Sequence, residues 1–459
     1  MKRFTLAGNM QHSLTVQQQK VIDSTEPTVI VNAVAGSGKT ATLMHLATKY
    51  QRGIYLAFNK AIVGDVVPKL PLGWTCKTFN AFGLGMVKQH YPTSKVDFLK
   101  YSRNIYSHPS ANSLVGKHMA MNGNISETSW KTTCDRFKIS YSYIKEAQEL
   151  LARGQENTNI ISGDDMLQYP IENGWKSDKY EIVLIDECQD LNPQQIEFLT
   201  CIPTKRIVFA GDINQAIYGF RGSDPYAMDK IRDHYNPTDY ELTETFRCPQ
   251  EILTTVKHIV PNIFSKKTNG RVITEGNMTN INYPDECFII SRTNNNLVKL
   301  AYKFIKENKH FSIGGRFITQ LKKDLNNVFN GCVSLTEMQE NVINQYEREI
   351  TRAKGNKWSI TSIENKYDSL LAIIKLATSP ADIHSFVKNL AMHSDSASCR
   401  KLMTIHAAKG LETSTVFFIN ADACTYFKER AETDWEKQQE DNLYYVACTR
   451  ALNELVFTK

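Results

Sequence analysis

Residues 33–40 read AVAGSGKT. The stretch before them, TVIVN (28–32), is β-branched and apolar enough for a buried strand. The stretch after them, ATLMHLATKY, sets Leu43, Leu46, Ala47 and Tyr50 at i, i+3, i+4 and i+7, which is one apolar helix face. Strand, small-residue turn and helix in that order are the context a phosphate-binding loop requires. Ala35, Gly36, Ser37 and Gly38 let bare backbone approach and turn N–H groups toward a polyphosphate, while the helix N-terminus adds partial positive charge. Lys39 reaches the β- and γ-phosphates, and the Thr40 hydroxyl is a Mg²⁺ ligand. The pattern G-x-x-x-x-G-K-[ST] has Ala33 in its first position instead of Gly.

Such a site needs acids to hold the metal and to activate water. YEIVLIDECQD (180–190) supplies a strand, EIVLI, ending in Asp186 and Glu187. Asp186 is placed to hold Mg²⁺, and Glu187 to take a proton from the attacking water. Each motif predicts the other, so nucleotide binding with hydrolysis is expected, with ATP and Mg²⁺ as cofactors.

Composition narrows the class without naming it. The 459 residues are enough for more than one domain. A net charge of +6 permits a nucleic-acid partner but does not argue for one. The ten cysteines include no C-x-x-C pair, which argues against a zinc site. Cys201, Cys287 and Cys448 lie in apolar runs and read as buried thiols of a reducing compartment. The N-terminus has no apolar signal core, and no run of 18 apolar residues exists. An intracellular, cytoplasmic protein with no membrane partner is expected.

Further motifs follow in a fixed order: GDINQAIYGFRGSDP (211–225), LTETFRCPQEI (242–252), LMTIHAAKGLETSTVFFINAD (402–422) and EDNLYYVACTRALNELVFT (440–458). Together they resemble the UvrD/Rep family of superfamily 1 DNA helicases. AFNKAI, SRTNNN, IGGR and YYVACTRA look most like its F-box DNA helicase branch and small phage relatives. The resemblance runs from Leu14 to Thr458. It implies an α/β fold of two RecA-like P-loop domains, parallel sheets flanked by helices, with inserted, mainly helical subdomains.

The resemblance also implies roles. Gln18, in LTVQQQKVI, would read the adenine edge, and Phe246 would stack on the base where the family usually has Tyr. Arg247 and Arg450 would clamp the γ-phosphate; a guanidinium suits this because it is planar, charged and bidentate. Gln215 would sense that phosphate, and Glu412, in one loop with Lys409 and Gly410, would touch the ribose. On the DNA side, Phe58, Tyr218 and Phe220 match base-stacking positions, with Asn59, Lys60, Thr78, Arg221 and His406 beside the strand. Aromatic faces suit a track that must ignore sequence. Phe220 replaces the usual Trp, and Asn80 stands where His is usual.

The expected organisation is a first motor domain from 1–83 and 179–253, interrupted by 84–178, and a second from 254–317 and 400–459, interrupted by a small insert at 318–399. Within 84–178, SYIKEAQELLARG is helix-like and SGDDMLQYP loop-like; 318–399 is largely helical. The chain stops at Lys459, just after the last motif, so no appended nuclease is expected. The leading function is an ATP-driven translocase on single-stranded DNA that unwinds duplex, 3′ to 5′ by resemblance, in replication, recombination or repair. Its partners are single-stranded and tailed duplex DNA, together with single-strand-binding or replication and recombination proteins. Two alternatives stay open: a translocase that strips proteins from DNA and unwinds poorly, and an ATP switch without directional travel.

Overall fold

The computed structural model describes residues 14–101, 107–122, 129–219, 223–353, 357–390 and 400–459. The chain forms two compact units, Met1–Thr243 and Glu244–Lys459.

In the first unit the strands are β1 (Thr28–Ala33), β2 (Gly53–Ala57), β3 (Thr75–Thr78), the short pair β4 (Lys95–Val96) and β5 (Ile160–Ile161), β6 (Tyr180–Asp186), β7 (Thr204–Gly211) and β8 (Thr238–Leu242). Six of them make one sheet in the order β3-β2-β6-β7-β1-β8, with every pairing parallel. Its strands are apolar on both sides because helices cover both faces. Ile30, Ile54, Leu56, Val183, Ile185, Ile207 and Phe209 pack into one core, and Val29, Val31, Tyr55, Ile182, Leu184 and Val208 into another. The adjacent strands β7 and β1 lead in opposite directions, to β8 at one edge and to β2 across the sheet. Such a reversal opens a crevice at the carboxyl ends of the strands.

Between β3 and β6 the chain is mainly helical. The helix Ile144–Glu156 forms where the sequence predicts one, and with Pro109–Met121 and Trp130–Phe137 it encloses a small core around Leu114, Val115, Cys134 and Leu150. SGDDMLQYP differs from expectation: Asp165–Glu172 is a helix with Pro170 inside it. The cause is tertiary. Asp165 is buried against Lys100 Nζ (2.7 Å) and the Tyr101 hydroxyl (2.7 Å), while Met166, Leu167 and Tyr169 are buried apolar side chains. Pro170 has no N–H to offer the Met166 carbonyl four residues back. That carbonyl lies where a Cβ on Gly83 would come within 2.2 Å, so the helix Phe79–His90 can rest here only with glycine.

The second unit carries β9 (Arg271–Thr274), β10 (Phe288–Ser291), β11 (Phe311–Ile313), β12 (Arg400–Thr404), β13 (Thr413–Ile419) and β14 (Ala451–Thr458). They form a second parallel sheet in the order β11-β12-β10-β13-β14-β9. Between β11 and β12 lie the helices Gly315–Phe329, Leu335–Arg352, Lys357–Leu376 and Pro380–Leu390. Their Leu325, Met338, Leu370 and Ile373 share one core with Ile289, Leu402 and Phe417 of the sheet. The two helix-flanked parallel sheets are the tandem RecA-like α/β architecture that the motifs imply. Cys201, Cys287 and Cys448 are buried and form no disulfide among the described residues. No single helix among the described residues is long and apolar enough to cross a membrane.

Candidate active site

The loop after β1 turns on two glycines in left-handed conformation, Gly36 (φ 74°) and Gly38 (φ 78°), which a side chain would strain. Ala33 needs no such freedom. It is the last residue of β1, buried and paired with Leu242, and its φ is not positive, so a methyl group fits where the pattern has Gly. Ala35 and Ser37 are buried, and the Ser37 hydroxyl finds no acceptor or donor among the described residues. Lys39 begins the helix Lys39–Ala47.

β7 separates β1 from β6, so the two motifs meet across one strand's width. Lys39 Nζ lies 3.1 Å from Asp186 Oδ1 and 2.7 Å from Glu187 Oε1. Burial pulls the lysine pKa down, but the two carboxylates outweigh it and hold the ammonium above its usual range. Thr40 Oγ1 donates to Asp186 Oδ2 at 3.2 Å, and the Glu187 N–H donates to Asp186 Oδ1 at 2.9 Å. Glu187 itself has φ 57°, a left-handed conformation costly for a residue with a side chain and characteristic of functional sites.

Three residues that the motif reading did not single out complete this cluster. Gln189 Nε2 donates to Glu187 Oε2 at 2.6 Å, and its Oε1 accepts from the Asp212 N–H at 3.0 Å. Asp212 Oδ2 in turn accepts from Gln215 Nε2 at 2.6 Å. Glu187, Gln189, Asp212 and Gln215 thus form a chain of hydrogen bonds between the tips of β6 and β7. A Cβ on Gly211 would come 2.6 Å from Gln189 Oε1, so this approach needs glycine at the end of β7. The third residue is Tyr55, whose hydroxyl donates to Asp186 Oδ2 at 2.5 Å. DECQD and GD hint at Gln189 and Asp212; nothing local marks Tyr55.

Gln18 is buried, and its amide has partners already. Oε1 accepts from the Thr15 N–H at 2.9 Å in a capping box, and Nε2 donates to the Ser37 carbonyl at 3.1 Å. A primary amide has two N–H groups and two lone pairs, so one of each remains for a base edge. Phe58 and Tyr218 lie with parallel rings, 5.9 Å between centroids and 8° between planes. Asn59 caps the helix Lys60–Val66, whose first residue Lys60 is exposed, and Thr78 caps Phe79–His90. Phe220 and Arg221 lie outside the described residues.

In the second unit Arg247, Glu412 and Arg450 come together from three motifs. Arg247 Nε donates to Glu412 Oε2 at 2.6 Å. Arg450 is buried and donates to the Val446 carbonyl (2.9 Å), the Leu411 carbonyl (3.3 Å) and Thr449 Oγ1 (3.0 Å). Burial, with Arg247 nearby, brings its pKa down to about 9. Gly410 turns the loop at φ 86° between half-buried Lys409 and exposed Leu411. Phe246 is half-buried, and His406 lies on the short helix Ile405–Ala408.

Comparison with known proteins bears on the family. The profile of the UvrD/REP helicase N-terminal domain matches residues 146–236, and that of the UvrD-like helicase C-terminal domain matches 230–459. The chain belongs to the UvrD/REP helicase family. Among family members, F-box DNA helicase protein 1 of Schizosaccharomyces pombe is 24% identical over 96% of this chain and 57% of its own length. F-box DNA helicase 1 of Gallus gallus is 24% identical over 97% of this chain and 49% of its own length. ATP-dependent DNA helicase PcrA of Staphylococcus aureus is 21% identical over 97% and 83%. This chain thus spans about half the length of the two F-box relatives. A solved complex of Arterivirus nonstructural protein 10 (helicase) with DNA covers 94% of this chain and 61% of its own at 11% identity, with a TM-score of 0.37, too low to bear on function.

Proposed function

We propose that this protein is an ATP-dependent translocase on single-stranded DNA that unwinds duplex in the 3′ to 5′ direction. One observation carries the chemistry: Lys39, Thr40, Asp186 and Glu187 converge in a single hydrogen-bonded cluster at the end of a left-handed glycine loop. The residues present suit Mg·ATP. The orphaned Ser37 hydroxyl and the Gly36 and Gly38 turns suit phosphate oxygens, and the two carboxylates already gather one cation, the Lys39 ammonium. Bound there, the metal would neutralise phosphate charge, with Thr40 and Asp186 as the residues that hold it. Glu187 takes the proton of the attacking water, and Lys39 stabilises charge on the phosphates. The family resemblance assigns Gln18 and Phe246 to the base, and Glu412, Lys409 and Gly410 to the ribose. Arg247 and Arg450 act on the γ-phosphate.

Gln215 lies three residues before Tyr218, so one short segment joins the phosphate sensor to the aromatic pair with Phe58. The family resemblance assigns base stacking to Phe58, Tyr218 and Phe220, and contacts with the strand to Asn59, Lys60, Thr78, Arg221 and His406. Residues 84–178 and 318–399 serve as inserts of the two motor domains. Parallel assays of ATP turnover and strand separation on a 3′-tailed duplex test the proposal. Wild type should hydrolyse ATP in a DNA-stimulated manner and separate strands. Glu187→Gln should bind ATP normally and lose hydrolysis at least a hundredfold; normal turnover in that variant would refute the catalytic assignment.

A further inference from the structure

Asp186 Oδ2 accepts two hydrogen bonds. One comes from Thr40, within the phosphate-binding motif. The other comes from Tyr55, in the middle of β2 and outside every motif. The register explains how the ring gets there. β2 runs parallel to β6, and Tyr55 stands opposite Leu184. Residues two apart on a strand share a face, so Leu184 and Asp186 project to the side on which Tyr55 lies. Two residues of strand rise about 6.6 Å, which a phenol spans from its own backbone to its hydroxyl. The ring is fully buried in the core with Val31, Leu43 and Leu184, and its hydroxyl meets the Asp186 carboxylate at the end of β6. A phenol keeps its proton well above neutral pH, and here it donates that proton to Asp186. Phenylalanine would fill the same core; the hydroxyl has a separate purpose.

We infer that Tyr55 is a positioning residue for the metal-binding carboxylate, fixing the plane of Asp186 so that it meets a divalent cation already paired with nucleotide phosphates. This rests on the Mg·ATP site proposed above. A carboxylate at a strand tip turns easily about its last bond. Here Tyr55 and Thr40 hold Oδ2, while Lys39 and the Glu187 N–H hold Oδ1. A bound metal would draw on Thr40 and compete with Lys39 for the acids, which leaves the Glu187 N–H as the anchor of Oδ1 and the Tyr55 hydroxyl as the anchor of Oδ2. Partners of this kind, one shell out from a metal, typically change metal affinity 10–100-fold when removed.

The test uses Tyr55→Phe in the full chain, with Mn²⁺ as the metal probe and a non-hydrolysable ATP analogue. Bound Mn²⁺ is counted by electron paramagnetic resonance, and analogue affinity is measured by calorimetry with Mn²⁺ and in chelator. Tyr55→Phe should weaken Mn²⁺ binding to the protein–analogue complex about tenfold and leave metal-free analogue affinity unchanged. In an Asp186→Asn background the same substitution should add nothing, because Tyr55 acts through Asp186. Wild-type Mn²⁺ affinity in Tyr55→Phe would overturn the inference. So would an equal loss with and without metal, which marks the tyrosine as core, or a full additional loss on top of Asp186→Asn. A wild-type protein that binds no analogue at all would refute the nucleotide site itself, an outcome distinct from failure of the variant alone.

Discussion

Arg247 is held by the carboxylate proposed to receive the ribose. The ion pair with Glu412 joins residues 165 positions apart, at 2.6 Å. A guanidinium in that pairing keeps further N–H groups for a phosphate, and the fork geometry is what lysine cannot supply. Arg247→Lys should therefore retain charge and lose turnover; arginine fingers contribute on the order of 10³-fold. ADP affinity should change little, because ADP has no γ-phosphate. Single-turnover hydrolysis beside ADP titration checks this, and a large loss of ADP binding with hydrolysis intact would contradict the role. Arg450 is anchored differently: it is buried, with main-chain carbonyls and Thr449 as acceptors. Its proposed approach to a phosphate must preserve or exchange those bonds.

At the scale of elements, the contact between Phe79–His90 and Asp165–Glu172 offers a clean comparison. A methyl group at Gly83 would sit 2.2 Å from the Met166 carbonyl oxygen, whereas one at Gly85 would have as its nearest neighbour only the tip of Lys77, at 3.9 Å. Both glycines are helical. Gly83→Ala should destabilise by about 1–3 kcal/mol through overpacking, and Gly85→Ala should stabilise by up to about 1 kcal/mol through helix propensity. Urea midpoints of the two variants check both signs. The second helix also carries a pH dependence. Burial, and then its neighbour Asp165, raise Asp164 from 3.8 to about 7. The folded state therefore holds this proton more tightly than the unfolded chain does. The stability it brings is complete below about pH 4 and is lost as pH rises to about 7. Asp164→Asn should remove that slope, raising stability at pH 8 and changing it little at pH 4. Denaturation midpoints across this range measure the effect, and a gain confined to acid pH would reverse the sign.

At the scale of the whole molecule, the property to be measured is direction. A translocase moves one way because its units repeat one cycle on a polar strand, and no single side chain encodes that. Strand separation should proceed on duplexes with a 3′ tail and fail on those with a 5′ tail. Displacement of streptavidin from either end of single-stranded DNA separates the alternatives. Displacement with little unwinding favours the protein-stripping translocase, and failure at both ends favours an ATP switch without travel. The +6 net charge does not decide among these, whereas the order of motifs along 459 residues makes the motor the leading expectation.

The sequence alone was sufficient for whatever depends on neighbours along the chain. The run into AVAGSGKT, the strand ending in Asp186 and Glu187, and the helix after Thr40 follow from periodicity and backbone freedom, which act over a few residues. The structure forms those elements where the pattern places them. Ala33 was legible as a departure, but its harmlessness was not, because that depends on a buried strand end paired with Leu242. SGDDMLQYP looked like a loop because Gly, two Asp and Pro favour turns locally. Burial of Asp165 against Lys100 and Tyr101, 65 and 64 residues away, overrides that preference. Tyr55 lies 131 residues from Asp186, and only the pairing of β2 with β6 brings the two within one hydrogen bond. A hydrophobic pattern records that a strand is buried. Which hydroxyl meets which carboxylate is decided by register, and register belongs to the folded sheet.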